Sequence, residues 1–451
     1  MRKLIWERFR LLGWGGGYLA LFLWVYAHRI VPTFAYQGFV YRPSFLRTLI
    51  ITILVLSPLL WMPLTINRPS LLTLWMLYFA VYTPAVVVSF HVLNLALPFP
   101  TFFGWLWASL LFLAFLAAVP HVRIPKIRLA SGKLIWGLMT LWIIGYGLFF
   151  HGFGFHGLPS LQRIYKVRLA ARDIISSQSR LFGYLLRWFT NVINPFFVIL
   201  GLQRRRWGLL LLGLVGQIFV FTFDATKTTL ISIPYLAGLY VLLRWKREHI
   251  SAKLLFQGSI VVFLGSLMTD YLLHSKILTT YGLRRVFYVP GLLTAYYFDY
   301  FSVHPQWHWA HTAIGRFFAM LPPSGVSAPG PGFLIGEVYF HNPAGNANVH
   351  LWADAFANMG IPGMLVITMG LFFLLWLYDS LSCCQDHELA FLLTALPGFA
   401  LTNTSLLTAL LTHGWLLALL LLWLWPLPSR QPDSPIFPQA PHPLRKLSRS
   451  T

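Results

Sequence analysis

The sequence predicts an all-α polytopic membrane protein, and three observations lead there. Of 451 residues, 57% are hydrophobic and only 10% charged, against roughly 25% charged in an ordinary soluble domain. A soluble chain of this length has no interior large enough for that apolar surface, so lipid is the solvent it implies. The apolar residues gather into about twelve runs long enough, or nearly so, to cross a bilayer as helices. Lys and Arg then concentrate in alternate connectors between those runs, which is the bias that orients membrane helices.

Taken in order, the expected spans lie near 14–31, 48–66, 70–90, 101–120, 134–150, 185–202, 207–222, 229–243, 254–272, 359–378, 389–408 and 411–426. The opening MRKLIWERFR is a basic flank, and the run after it lacks a small-residue cleavage site. It reads as a retained first helix with its N-terminus in the cytoplasm. On that choice the cytoplasmic connectors carry Arg123, Lys126, Arg128 and Lys133, then Arg204, Arg205 and Arg206, then Arg244, Lys246, Arg247 and Lys253. The stretch 427–451 is Pro-rich and polar with nothing to bury, so it reads as a disordered cytoplasmic tail.

The formal net charge of +22 would point to nucleic acid in a soluble protein. Here loops that hold topology beside anionic lipid explain most of it, and no nucleic-acid partner is expected. Cys383 and Cys384 are adjacent and offer neither a disulfide framework nor metal-ligand spacing. His304, His308 and His311 lack a nearby Cys or carboxylate to complete a site. No metal or cofactor is therefore expected.

Two large loops fall on the non-cytoplasmic side, 151–184 and 273–358, and both are too basic for it. The first holds Arg163, Lys166, Arg168, Arg172 and Arg180 against Asp173, and the second Lys276, Arg284, Arg285 and Arg316. Cations there oppose the insertion bias, and an anionic ligand is the simplest reason for them. On a helix Arg168 and Arg172 share one face, and a guanidinium fork suits phosphate oxygens. The plainer reading is a helix lying on anionic headgroups. Lys227 opens a span in FTFDATKTTLISIPYL, either as a functional cation or as a snorkelling lysine paired with Asp224.

Carbohydrate chemistry enters through YYFDYF, where Asp299 sits among tyrosines. Apolar ring faces with one acceptor suit sugar hydroxyls, although interfacial aromatic belts look the same. His350 and Asp354 stand four residues apart, stacked on one helix face that leads into the apolar run 364–377. A neutral imidazole there can accept a proton from an alcohol, with Asp354 orienting it. Glu337, in GEVYF, is a third acid–base candidate. The plainer reading makes His350 a helix-terminal side chain.

Three stretches carry a resemblance: HLWADAFANMGIPGML after the long outer loop, the short outer turn DATKTTLISIPYL, and the basic loop RIYKVRLAARD. Together they resemble the bacterial O-antigen and oligosaccharide repeat-unit polymerases, the Wzy family, and their relatives the O-antigen ligases. The resemblance implies a bacterial inner-membrane glycosyltransferase. It would polymerise undecaprenyl-pyrophosphate-linked oligosaccharide on the periplasmic side for O-antigen, capsule or exopolysaccharide, alongside a chain-length regulator. It assigns the pyrophosphate to Arg168, Arg172, Lys227 and Arg316, the acceptor hydroxyl to His350 with Asp354, and sugar contacts to Arg284, Arg285, Asp299 and Glu337. A ligase shares this chemistry. A lipid-linked oligosaccharide transporter or flippase would instead keep its ionisable residues at mid-membrane on broken helices.

Overall fold

A computed structural model describes residues 2–426 apart from 94–98, 128, 155–156, 160–163, 247–249, 313–314, 316 and 384. The expected tail 427–451 lies outside the described residues.

Each of the twelve apolar runs is helical over most of its length. Ten helices among the described residues are long and apolar enough to cross a membrane. They are α1 (Arg2–Gln37), α3 (Pro69–Val92), α4 (Pro100–Ala117), α5 (Ser131–Phe153), α7 (Leu181–Arg204), α8 (Trp207–Asp224), α9 (Thr228–Lys246), α10 (Ala252–Leu272), α13 (Leu351–Ser382) and α15 (Leu406–Leu424). The other two runs make shorter helices, α2 (Phe45–Leu60) and α14 (His387–Ala400). After α14, turns at Leu401 to Asn403 interrupt the chain, and the Ser405 hydroxyl restarts it by capping the Thr408 N–H. A run that reads as continuous hydropathy is thereby divided.

The connectors gather at two opposite ends of the bundle. At one end Arg8 donates to the carbonyls of Leu59 and Met62, and Arg68 to those of Leu116 and Val119. Arg244 pairs with Glu388 at 2.8 Å. The only strands among the described residues, β1 (Thr65–Ile66) and β2 (Ile250–Ser251), pair antiparallel there. These are the connectors that the Lys/Arg pattern groups on one side. At the other end Tyr26 donates to the Val40 carbonyl, Arg172 to that of Ala344, and Arg187 pairs with Asp224 at 2.9 Å. The alternation in sequence and the sorting in space agree.

The stretch 273–358 is not loop throughout. A π-helical run, Leu278–Tyr288, continues into α11 (Val289–Phe301), which is buried along nearly its whole length. It packs between α3 and α13. Gly291 lies against the Pro84 carbonyl so closely that a Cβ has no room, and Ser89, further along α3, donates to the Gly291 carbonyl at 3.2 Å. Two further helices occupy the loops: α6 (Ile164–Ser177) and α12 (Pro331–Phe340).

Inside the bundle a closed polar network joins α5, α7, α8 and α9. Asn194 accepts from Trp142 at 3.1 Å and donates to the Tyr146 hydroxyl and to Gln217. Gln217 in turn donates to the Thr190 carbonyl and to Ser232. Each polar atom named has a partner, as a hydrocarbon surrounding demands.

Candidate functional site

The long helix α13 is broken near its start, at the buried end that packs against α11. Met359 and Gly360 leave helical geometry, Gly360 with φ 60° and ψ −145°, and Pro362 follows. That region of backbone space is open essentially to Gly alone, and a Cβ on Gly360 would sit 2.7 Å from the Gln306 amide. The break frees the carbonyls of Ala357 and Asn358. They are taken by the N–H groups of Trp307 at 3.1 Å and His308 at 2.9 Å, while Trp309 N–H donates to the Asn358 side chain at 2.9 Å. The helix that should run straight into its span is therefore a short buried segment, then an unwound hinge, then the span. Backbone of this kind survives at membrane depth only where protein or a cavity surrounds it.

His350 caps that first segment. Its Nδ1 accepts from the N–H groups of Trp352 and Ala353 at 3.3 and 3.4 Å. Its Nε2 lies 2.8 Å from the Thr294 hydroxyl, which itself donates to the Pro290 carbonyl at 2.7 Å. The network assigns the proton to Nε2, since Nδ1 only accepts and the Thr294 proton is already committed. The ring is fully buried and both nitrogens are engaged. It fixes α13 to α11 and keeps no free lone pair for an incoming alcohol.

Asp354 does not pair with His350. Its Oδ2 accepts from Asn358 at 3.3 Å, and Asn358 also donates to the Asp354 carbonyl at 2.8 Å. Asp354 is partly exposed and acts electrostatically on Tyr297 of α11.

Arg285, on the π-helical run, is exposed. Burial, and then the guanidiniums of Arg168 and Arg284, hold its pKa below the ordinary arginine range. Arg168 on α6 and Arg284 thus act electrostatically on Arg285. Among the described residues none of the three makes an ion pair. Arg284 stacks on Phe34, its Cζ 4.3 Å from the ring centre, and donates to the side chain of Gln37 and to the Thr280 carbonyl. Arg172 turns toward α12, donating to the Ala344 carbonyl at 2.8 Å with its Cζ 5.2 Å from the Phe333 ring centre.

Beside this cluster lies an aromatic wall. Tyr296 and Tyr339 stack with ring centres 4.2 Å apart, Tyr296 donates to the Gln37 carbonyl at 2.9 Å, and Tyr339 donates to Asp299 Oδ2 at 2.6 Å. Burial and then the Asp299 hydrogen bond raise the Tyr339 pKa far above its ordinary value, so it remains a donor. Glu337 is exposed on α12 and acts electrostatically on Tyr300. The tyrosines of YYFDYF do not form one surface: Tyr297 turns inward and donates to the Ala347 carbonyl.

Arg163, Arg316 and the side chains of Arg180 and Lys227 lie outside the described residues, so their expected roles gain no geometry. Asp224, the expected partner of Lys227, receives Arg187 at 2.9 Å and the Thr226 N–H and hydroxyl at 2.9 and 2.6 Å. His304 stacks on Tyr300 and its Nδ1 meets the Tyr300 carbonyl at 2.9 Å. With His308 and His311 it forms no metal-ligand group, nor do any three His, Cys, Asp or Glu among the described residues. Sequence reasoning missed Arg187, Thr294, Tyr339 and Gln37. Tyr339 had a signal in GEVYF, two residues beyond Glu337; nothing local marks the others.

Comparison with family models, with curated proteins and with solved structures found no match to this chain.

Proposed function

We propose that the chain is a membrane glycosyltransferase that joins oligosaccharide repeat units carried on undecaprenyl pyrophosphate, working at the non-cytoplasmic face of a bacterial inner membrane with both termini in the cytoplasm. The observation that carries this reading is the group Arg168, Arg284 and Arg285, in which the first two act electrostatically on the third and none has an ion-pair partner among the described residues. Like charges so placed destabilise one another, and an anion between them relieves the repulsion.

In the reaction the terminal hydroxyl of one repeat unit attacks the anomeric carbon of the sugar on the carrier lipid. A glycosidic C–O bond forms, the bond from that carbon to pyrophosphate breaks, and lipid pyrophosphate leaves with the electron pair. The arginines hold the leaving group where its negative charge grows. Asp354, partly exposed near the start of α13, receives the hydroxyl proton. His350 positions it by fixing the start of α13. The Tyr296, Tyr339 and Asp299 surface holds sugar, with ring faces for its C–H groups and oxygens for its hydroxyls.

The test is reconstitution. Purified protein in liposomes, supplied with lipid-linked repeat units alone, should produce a ladder of longer lipid-linked glycans. Conversion only after a lipid A core acceptor is added would replace the polymerase with a ligase. No conversion with either acceptor, together with transbilayer movement of the lipid, would replace both with a transporter.

A further inference from the structure

At the same end of the bundle, but on its outer flank, a cavity of about 240 Å³ lies between α1, α10 and the π-helical run. Arg29, Lys276, Asp270, Ser275, Thr279 and Thr280 line its polar part. Asp270 is already saturated: it accepts from the Ser275 hydroxyl at 3.1 Å and from the N–H groups of Leu278 and Thr279 at 2.9 and 2.7 Å. It therefore does not draw Arg29 or Lys276 to itself, and neither cation makes an ion pair among the described residues. His28, also at the wall, is turned back onto the Trp24 carbonyl at 3.0 Å and stacked on the Trp24 ring.

The cavity continues into an apolar groove of about 600 Å³, lined by Val261, Leu264, Gly265 and Met268 and sharing Arg29, Leu267 and Tyr271 with it. The groove runs along α10, whose outward side chains are exposed, Val261 at 66% and Met268 at 57%. On a membrane span those side chains meet hydrocarbon. A small cationic chamber opening sideways onto a lipid-facing groove has the shape of a phosphate on a hydrocarbon chain.

We propose that this is a binding site for an anionic phospholipid. Its phosphodiester is held by Arg29 and Lys276, and one acyl chain lies in the groove beside Gly265. Charge selects the occupant. Two cations, Arg29 and Lys276, face one carboxylate, Asp270, and the surplus of one positive charge matches the single charge of phosphatidylglycerol. A zwitterionic headgroup would bring an ammonium up to two cations. A lipid pyrophosphate carries more charge than this site neutralises, and it finds better partners among Arg168, Arg284 and Arg285. The site does not depend on the glycosyltransferase reading.

Native mass spectrometry of the full-length protein, titrated with defined lipids, tests it. Phosphatidylglycerol should bind at one saturable site, ahead of phosphatidylcholine. Arg29→Gln and Lys276→Gln should each weaken that binding about fivefold. Gly265 has open space around it, so Gly265→Phe should fold, fill the groove and abolish the site with both cations intact. Glycerol phosphate, a headgroup without chains, should not compete. Phosphatidylglycerol binding unchanged by Gly265→Phe and by both charge variants would overturn the proposal. So would displacement by glycerol phosphate, which would mean a soluble phosphate site, or tighter charge-dependent binding of undecaprenyl phosphate, which would assign the groove to the carrier.

Discussion

His350 and Asp354 look like one catalytic pair in the sequence, and the structure separates them. The spacing that stacks them on a helix face also puts His350 at the helix start, where bare N–H groups attract any acceptor. Nδ1 supplies it, and Asp354 accepts from Asn358 instead. The two readings of His350 predict different mutants. His350→Asn, which keeps a capping oxygen, should retain most activity. His350→Ala should lower stability by about 1–3 kcal/mol in a detergent melting assay, with turnover per folded molecule little changed. Asp354→Asn should invert this pattern: normal melting, donor lipid still bound, and turnover lowered ~10²–10⁴-fold. Equal losses of turnover per folded molecule in His350→Asn and Asp354→Asn would restore the pair. Gly360→Ala belongs here too, since it forces a Cβ into backbone space reserved for Gly. It should cost about 1–3 kcal/mol and be read in the same melting assay.

Among the elements, long apolar runs were legible and the buried elements between them were not. Hydropathy finds a helix by its length, so α5, α8 and α10 stand where the runs put them. The segment Val289–Phe301 escaped because it is short and follows Arg284 and Arg285, so it reads as part of a polar loop. It enters the core by packing, through the close approach at Gly291, and nothing in its composition shows that. The break in α13 was half legible: Gly360 and Pro362 are visible signals, but only the waiting N–H groups of 307–309 make the break affordable. The Asn194 network is a further element-scale claim. Asn194→Leu should destabilise by about 1–3 kcal/mol, because it strips partners from Trp142 and Gln217 in a site that water does not reach. Thermal unfolding of the purified variant checks this, and an unchanged midpoint would mean the network contributes no net stability.

For the molecule as a whole, the alternation of Lys and Arg along the chain matches the gathering of connectors at two ends. With Cys383 and Cys384 replaced by Ser, an impermeant maleimide added to intact cells should label Ser177→Cys on α6 and spare Ser251→Cys on β2. The reverse pattern would invert the molecule and place the arginines in the cytoplasm. In the sequence the cations of the site stand out as charges that the expected topology puts on the wrong side of the membrane. Their meeting was not, because Arg168 and Arg285 come from segments far apart in sequence, and only tertiary packing brings them together. If the arginines hold the pyrophosphate of a lipid-linked sugar, the affinities of undecaprenyl pyrophosphate and undecaprenyl monophosphate for wild type and for Arg168→Gln/Arg285→Gln should show it, read beside the length of glycan each protein makes. Wild type should prefer the pyrophosphate at least tenfold, and the double variant should lose both the preference and the polymer. A double variant that keeps the preference and still builds long chains would contradict that role for the arginines.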